Sequence, residues 1–198
     1  MRIFLDLDCV LADFVGGVAR HWGLTTDRLL ARWEPGVYDC VGPLSRALGL
    51  DPPMTEAGFW AELDGDAGFW ADLDPLPWAM DLFELVDEVS DNDWRLVTVP
   101  SRCLECYKGK HLWCNKFFGV GAGYFDRVIP VPRGADKALF ANPASVLVDD
   151  NEQNCEAFRA AGGHAVLVPA HHNRLHAAAR DPLGYVRPEL RRLKEVIK

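Results

Sequence analysis

Two aspartates separated by a single residue, Asp6 and Asp8, stand at the end of an apolar run, and this is the strongest chemical signal in the chain. Met1-Arg2-Ile3-Phe4-Leu5 reads as a buried strand, which places both carboxyl groups at its C-terminal tip and in the turn beyond it. Open α/β sheets bind and transform ligands at that edge. One carboxylate attacking as a nucleophile, with a second serving first as acid and then as base, is a route to splitting phosphate esters through an aspartyl phosphate. A divalent cation is expected to hold the charges together. The competing reading is that an Asp-x-Asp after a strand only caps the next helix.

Three distant segments favour chemistry. Arg95-Leu96-Val97-Thr98 is an apolar run ending in a hydroxyl, Asp136-Lys137 opens a short helical stretch after Val128-Ile129-Pro130-Val131, and Ser145-Val146-Leu147-Val148 runs into Asp149-Asp150. Carboxylates, a hydroxyl, a lysine and carboxylates again thus follow in order, each at the end of a strand or the start of a helix. Read alone, Thr98 suits a strand by β-propensity and Lys137 suits a surface.

That order resembles the haloacid dehalogenase-like superfamily of phosphohydrolases, and within it the chain is most similar to the 5'(3')-deoxyribonucleotidases. The similarity rests on Asp6-Leu7-Asp8 followed by Val10-Leu11-Ala12-Asp13-Phe14 and Gly16-Gly17. Phe69-Trp70-Ala71-Asp72-Leu73-Asp74-Pro75-Leu76-Pro77 and Lys116-Phe117-Phe118-Gly119 also look like that family. The resemblance spans residues 2 to about 160. It implies an α/β, Rossmann-like three-layer fold with a parallel central sheet and a small, mainly helical cap inserted after the first strand. The core is expected over 1–15 and 78–198 and the cap over 16–77, a stretch too long for a plain loop.

The resemblance also implies roles. Asp6 attacks phosphorus, while Asp8 protonates the leaving oxygen and then activates water. Mg2+ is held by Asp6, the carbonyl of Asp8 and an acid of the Asp149-Asp150 pair, with Asp150 as the direct ligand and Asp149 orienting a neighbour. Thr98 and Lys137 grip the phosphoryl oxygens, helped by Arg102. The implied substrate is a small nucleoside monophosphate. Phe14, directly after the catalytic loop, is the aromatic best placed to touch it; Trp33, Tyr38, Trp60, Phe69 and Trp70 are further candidates, since a ring stacks on any base. Several of these rings fall in a near repeat, Ala57-Gly58-Phe59-Trp60-Ala61-Glu62-Leu63-Asp64 and Ala67-Gly68-Phe69-Trp70-Ala71-Asp72-Leu73-Asp74, whose aromatics fit a hinge between cap and core at least as well as a ligand. Cys9, Val99 and Asn151 depart from the family pattern of Gly, a hydroxyl residue and Arg. The rival readings are a phosphatase for another small ester such as a sugar phosphate, and a non-catalytic binding protein.

Size and composition agree. A chain of 198 residues, 49% hydrophobic, can bury the core of one α/β domain. A net charge of −8 argues against a nucleic-acid partner, whose backbone needs clustered Lys and Arg. The N-terminus reads as neither signal nor transit peptide and no run approaches membrane-spanning length, so a cytoplasmic protein without a membrane partner is expected. Oligomeric state is open, a homodimer being one option. Six scattered cysteines read as thiols, and Cys103, Cys106, His111 and Cys114 fit a helix better than a zinc knuckle. His171, His172 and His176 read as a solvated loop rather than a metal site.

Along the chain the pattern predicts helix 12–22, helix 79–90, strand 94–99, helix 103–118, strand 125–131, helix 135–141, strand 145–149, helix 152–161, strand 164–168 and a tail helix over 188–198. Alternating strands and helices imply a parallel sheet covered on both faces.

Overall fold

Strand alternation sorts this chain into layers. β1 (Arg2–Leu5) lies in the middle of a five-stranded, wholly parallel sheet with β2 (Trp94–Thr98), β3 (Val128–Pro130), β4 (Ser145–Asp149) and β5 (His164–Leu167), in the order β3-β2-β1-β4-β5. Successive side chains of a strand point to opposite faces. Ile3, Leu5, Leu96, Val146 and Val148 accordingly enter one large apolar core, and Phe4, Val97 and Leu147 enter a smaller one with Phe158 and Val131. The computed structural model of the protein describes residues 1–101, 103–119 and 125–197. Among them no helix is long and apolar enough to cross a membrane.

The helices are α1 (Phe14–His21), α2 (Thr26–Leu30), α3 (Val41–Leu48), α4 (Glu56–Asp64), α5 (Ala67–Ala71), α6 (Ala79–Ser90), α7 (Leu104–Phe118), α8 (Glu152–Ala160) and α9 (Pro182–Val196). α8 supplies Phe158 to the smaller core, while α6, α7 and α9 supply Leu82, Trp113 and Leu190 to the larger, so the sheet is covered on both faces. The insert that carries α2 to α5 shares the larger core, because Leu29, Leu44, Phe59, Leu63 and Trp70 are buried in the same cluster as Ile3 and Leu5.

Three predicted elements differ from those observed. α9 begins at Pro182 rather than 188, because Asp181 caps it by accepting from the Gly184 N–H, and Pro182 suits a first turn whose donors are unpaired anyway. Pro188, read as a start signal, lies inside it. Residues 134–140 form a 3-10 rather than an α-helix, and the strand predicted over 125–131 shortens to 128–130 because 125–127 coil into a 3-10 turn; Pro130, with no N–H to donate, is tolerated on this edge strand.

α5 and α7 approach at Gly109. A Cβ there would lie 2.5 Å from both Ala67 O and Trp70 Cβ. Gly109→Ala should therefore destabilise the protein by about 1–3 kcal/mol despite its better helix propensity. Urea unfolding measures this; an unchanged or raised midpoint would show that α5 yields freely.

Candidate active site

The turn after β1 is built by its own backbone. Leu7 O accepts from the N–H groups of Leu11 and Ala12, at 2.9 Å each, and the Cys9 N–H donates to Ala12 O at 2.8 Å. Closing so tight a turn puts Cys9 at φ 59°, a left-handed conformation that costs a side-chain-bearing residue roughly 1–2 kcal/mol. The end of the insert straps the turn from outside, with Leu76 N–H donating to Leu11 O and Asp13 N–H to Asp74 O, both at 2.8 Å. Helix capping falls to Asp13, which accepts from the Gly16 N–H at 2.8 Å. Asp6 and Asp8 are thereby left out of the cap.

Parallel pairing brings the strand ends to one edge, where Asp6, Thr98, Asp149 and Asp150 collect. Lys137 reaches in from the 3-10 turn and is buried between Asp6 Oδ1 at 2.7 Å and Asp149 Oδ2 at 2.6 Å. Asp149 is further held by the Asn151 N–H at 2.8 Å and by Asn154 Nδ2 at 3.2 Å to each oxygen. Lys110, on α7, is equally buried; its Nζ donates to Asp8 Oδ2, to Thr98 Oγ1 at 3.0 Å and to Val99 O at 3.1 Å, and lies 5.1 Å from the centre of the Trp70 ring. Asp150 Oδ2 is 2.6 Å from His172 Nε2, and Asn173 Nδ2 donates to Asp150 O and Val168 O at 2.8 Å.

Burial raises the Asp6 carboxyl from 3.8 to about 8; Lys137 pulls it back, and Asp149, Asp150 and Asp8 push it further up. Burial alone would lower the Lys137 ammonium, but Asp149 and Asp6 raise it above the ordinary lysine range. Lys110 is likewise raised by Asp8 against its own burial. Both lysines are therefore charged.

The cluster opens into a cleft of about 730 Å3 with Asp6, Asp8 and Lys137 in its wall. A second pocket of about 270 Å3 shares Cys9, Phe14, Tyr38, Glu56, Trp60 and Asp150 with it and adds Trp33, Phe59 and His172. Among the aromatics singled out, Phe14, Tyr38 and Trp60 border both spaces, Trp33 the smaller and Trp70 the larger. Phe69 is not in either lining; it packs edge-on against Phe14, Trp70 and His21. Thr98 is buried behind Val99, Pro100 and Ser101, which form the wall at the end of β2. Arg102 lies outside the described residues. The histidine loop is not a solvated one throughout, since His172 is buried and His171 bonds Trp33 O at 2.9 Å.

Sequence reasoning missed Lys110 and Ser101, and set His172 aside as part of a solvated loop. Lys110 had left a signal: Cys106, Gly109, Lys110, Trp113 and Cys114 follow helical spacing as the buried stripe of α7, and a lysine in such a stripe needs an acid. Ser101 Oγ, like Asp8 Oδ1, is buried with no hydrogen-bond partner among the described residues, so an oxygen donor and an oxygen acceptor await something in the cleft.

A hard cation fits. Oxygens of Asp6, Asp149 and Asp150 lie within 4.8 Å of one another. Asp149 is already satisfied by Lys137, Asn151 and Asn154, which leaves Asp6 and Asp150, with the Asp8 carbonyl, as candidate ligands. Mg2+ takes oxygen ligands from one or two carboxylates and retains water.

Five parallel strands in this order, with their functional groups on one edge, give the haloacid dehalogenase-like fold. No family model matches the chain. It is 25% identical to the human mitochondrial 5'(3')-deoxyribonucleotidase over 208 residues, covering 91% of this chain and 80% of that protein. Among solved structures it is similar to a Bacteroides vulgatus protein assigned as a beta-phosphoglucomutase, with TM-score 0.51 and 16% identity over 100% of this chain and 90% of the other. A phosphonoacetaldehyde hydrolase-like protein from Oleispira antarctica aligns with TM-score 0.48 and 17% identity over 98% and 84%. The resemblance read from the motifs thus extends to a sequence relative and to the fold.

Because the metal-free Asp6 carboxyl is raised to about 8, folding favours its protonated form. Its contribution to stability is full below the unfolded value near 3.8 and is lost as pH rises through about 8. Thermal unfolding of chelator-treated protein should show the midpoint falling across that window, with Mg2+ reversing the fall at its alkaline end. A midpoint indifferent to both would sink this charge assignment.

Proposed function

We propose that this protein is a Mg2+-dependent phosphomonoesterase that dephosphorylates nucleoside monophosphates through an aspartyl phosphate on Asp6. The observation that carries the reading is the pairing of each carboxylate of the Asp6-x-Asp8 tip with a different buried lysine at the mouth of an aromatic cleft. The 25% identity to a deoxyribonucleotidase supports a nucleotide substrate. Residues 16–77, reading as a cap, supply most of the aromatics.

Lys137 occupies Asp6 Oδ1 and leaves the other oxygen for in-line attack. Lys110 fixes Asp8 through Oδ2, and the Asp8 carboxyl in the cleft wall is the group that carries a proton to the departing sugar oxygen and later takes one from water. Thr98 Oγ1 accepts from Lys110 behind the cleft wall, so it helps to position that lysine. Lys137 supplies fixed positive charge to the transferring group. When bound, Mg2+ at Asp6, Asp150 and the Asp8 carbonyl would offset the charge of phosphate against this acidic edge.

The deciding experiment is phosphate release from deoxyribonucleotides, ribonucleotides and sugar phosphates, with Mg2+ or chelator. Wild type should cleave nucleotides with metal, and Asp6→Asn should show no turnover while unfolding normally. Cleavage of sugar phosphates alone would keep the chemistry and discard the substrate; hydrolysis of nothing would discard both. Lys137→Met should lower kcat by about 10²–10³, the loss seen when a transition-state donor is removed.

Trp60→Ala tests the base separately. Stacking on an aromatic contributes about 1–3 kcal/mol per base, so KM for nucleotides should rise roughly 5- to 150-fold, with p-nitrophenyl phosphate little affected. Equal losses on both substrates would assign Trp60 to packing.

A further inference from the structure

Cys9 is the residue that the reaction proposed above does not use, although it stands between Asp8 and the aromatic pocket. Its Sγ, a carboxylate oxygen of Asp150 and a ring nitrogen of His172 all lie within 4.8 Å of one another. Ligand atoms round a tetrahedral zinc ion, with bonds of about 2.0–2.3 Å, sit roughly 3.5 Å apart, so small side-chain rotations close the set. One edge is closed further than that. His172 Nε2 is 2.6 Å from Asp150 Oδ2, two ligand atoms sharing a proton where a cation would sit between them.

Each member is also held by groups outside the set. Cys9 is pinned at positive φ by its N–H bond to Ala12 O, and Asp150 by Asn173 on its carbonyl. The His172 ring is stacked on Trp33 at 5.9 Å and meets Tyr38 edge-on at 5.2 Å. Three protein ligands leave a fourth position, and the pocket of about 270 Å3 that all three border gives it room. This donor set is unlike the oxygen-only set of Asp6, Asp150 and the Asp8 carbonyl. Thiolate and imidazole select zinc and similar ions over Mg2+, whose preference is for oxygen.

We propose that Cys9, Asp150 and His172 form a second cation site, selective for zinc-like ions, that shares Asp150 with the Mg2+ site and so excludes Mg2+ when filled. Binding breaks the His172–Asp150 hydrogen bond, forms the sulfur–metal bond and releases the Cys9 thiol proton to solvent. Zinc is then an inhibitor that Mg2+ relieves; that consequence rests on the function proposed above, whereas binding itself does not.

The test uses the full chain stripped of metal. Titration with Co2+ should give a thiolate-to-cobalt charge-transfer band, and calorimetry with Zn2+ should show a tight equivalent. Cys9→Ser should abolish the band and weaken that equivalent by about 100-fold or more, since even outer-shell partners of a metal site are worth 10–100-fold. His172→Gln should weaken it similarly; should that buried substitution prevent folding, Cys9→Ser and Cys9→Ala decide alone. A cobalt spectrum with no thiolate band, or a band and zinc affinity unchanged in the Cys9 variants, would overturn the site. Zinc bound through Cys9 with Mg2+ binding undiminished would overturn the sharing of Asp150. All these readouts stand even if the chain hydrolyses no phosphate ester.

Discussion

Four carboxylates meet at one edge of the sheet, and two buried ammonium groups make that meeting tolerable. Taking charges out of water costs several kcal/mol for each, and mutual attraction recovers it only where partners are close and remaining polar atoms are satisfied. Lys137 meets this demand between Asp6 and Asp149, and Lys110 meets it between Asp8 and Thr98. The surrounding architecture serves these two side chains. The 3-10 turn exists where Lys137 must enter, and α7 sits where Lys110 can reach across the ends of β1 and β2. With two lysines set against four acids, full ionisation would leave a surplus of negative charge; the raised Asp6 carboxyl relieves part of it, and a bound cation would relieve the rest and offset the charge of an incoming phosphate.

Much of this arrangement is legible in the order of residues. Strands ending in Asp6, Thr98 and Asp149 announce a parallel sheet with polar tips, because an apolar run cannot end in a carboxylate except at an edge. Helix boundaries such as Ala79–Ser90 follow from periodicity alone. What periodicity hides is which charged residue in an apolar stripe is paired, and across what distance in sequence. Lys110 and Asp8 are 102 residues apart, and nothing local to either names the other. His172 is hidden for the opposite reason. It stands in a polar segment that looks solvated, yet it is buried against Asp150 with Trp33 and Tyr38 packed on its ring. Pro188 misled because a proline reads as a boundary, while the stronger signal, Asp181 before Pro182, lay about two turns earlier.

The near repeat shows the same limit from another side. Its two copies become α4 and α5, and both tryptophans border the larger cleft, yet the pairs differ in which ring is the more deeply buried. In the first, Phe59 is fully buried and Trp60 borders the cleft; in the second, Trp70 is nearly buried and Phe69 packs behind it. Identical letters take different roles because burial is decided by the neighbour each helix meets. α4 meets Trp22, stacked on Phe59 at 5.4 Å, and α5 meets α7.

The closeness of α5 to α7 divides the insert mechanically. Trp113 Nε1 bonds Leu73 O at 2.8 Å and Lys116 Nζ bonds Ala71 O at 3.0 Å, so the segment after Gly65 is riveted to the core. The segment before it is fastened at its far end by Gly36 N–H on His171 O. A molecule leaving the cleft therefore meets a roof clamped at two places rather than a door on one hinge. The stretch between those clamps is itself anchored by fully buried Leu44, Phe59 and Leu63, so rotating the partly buried ring of Trp60 costs less than lifting the backbone that carries it.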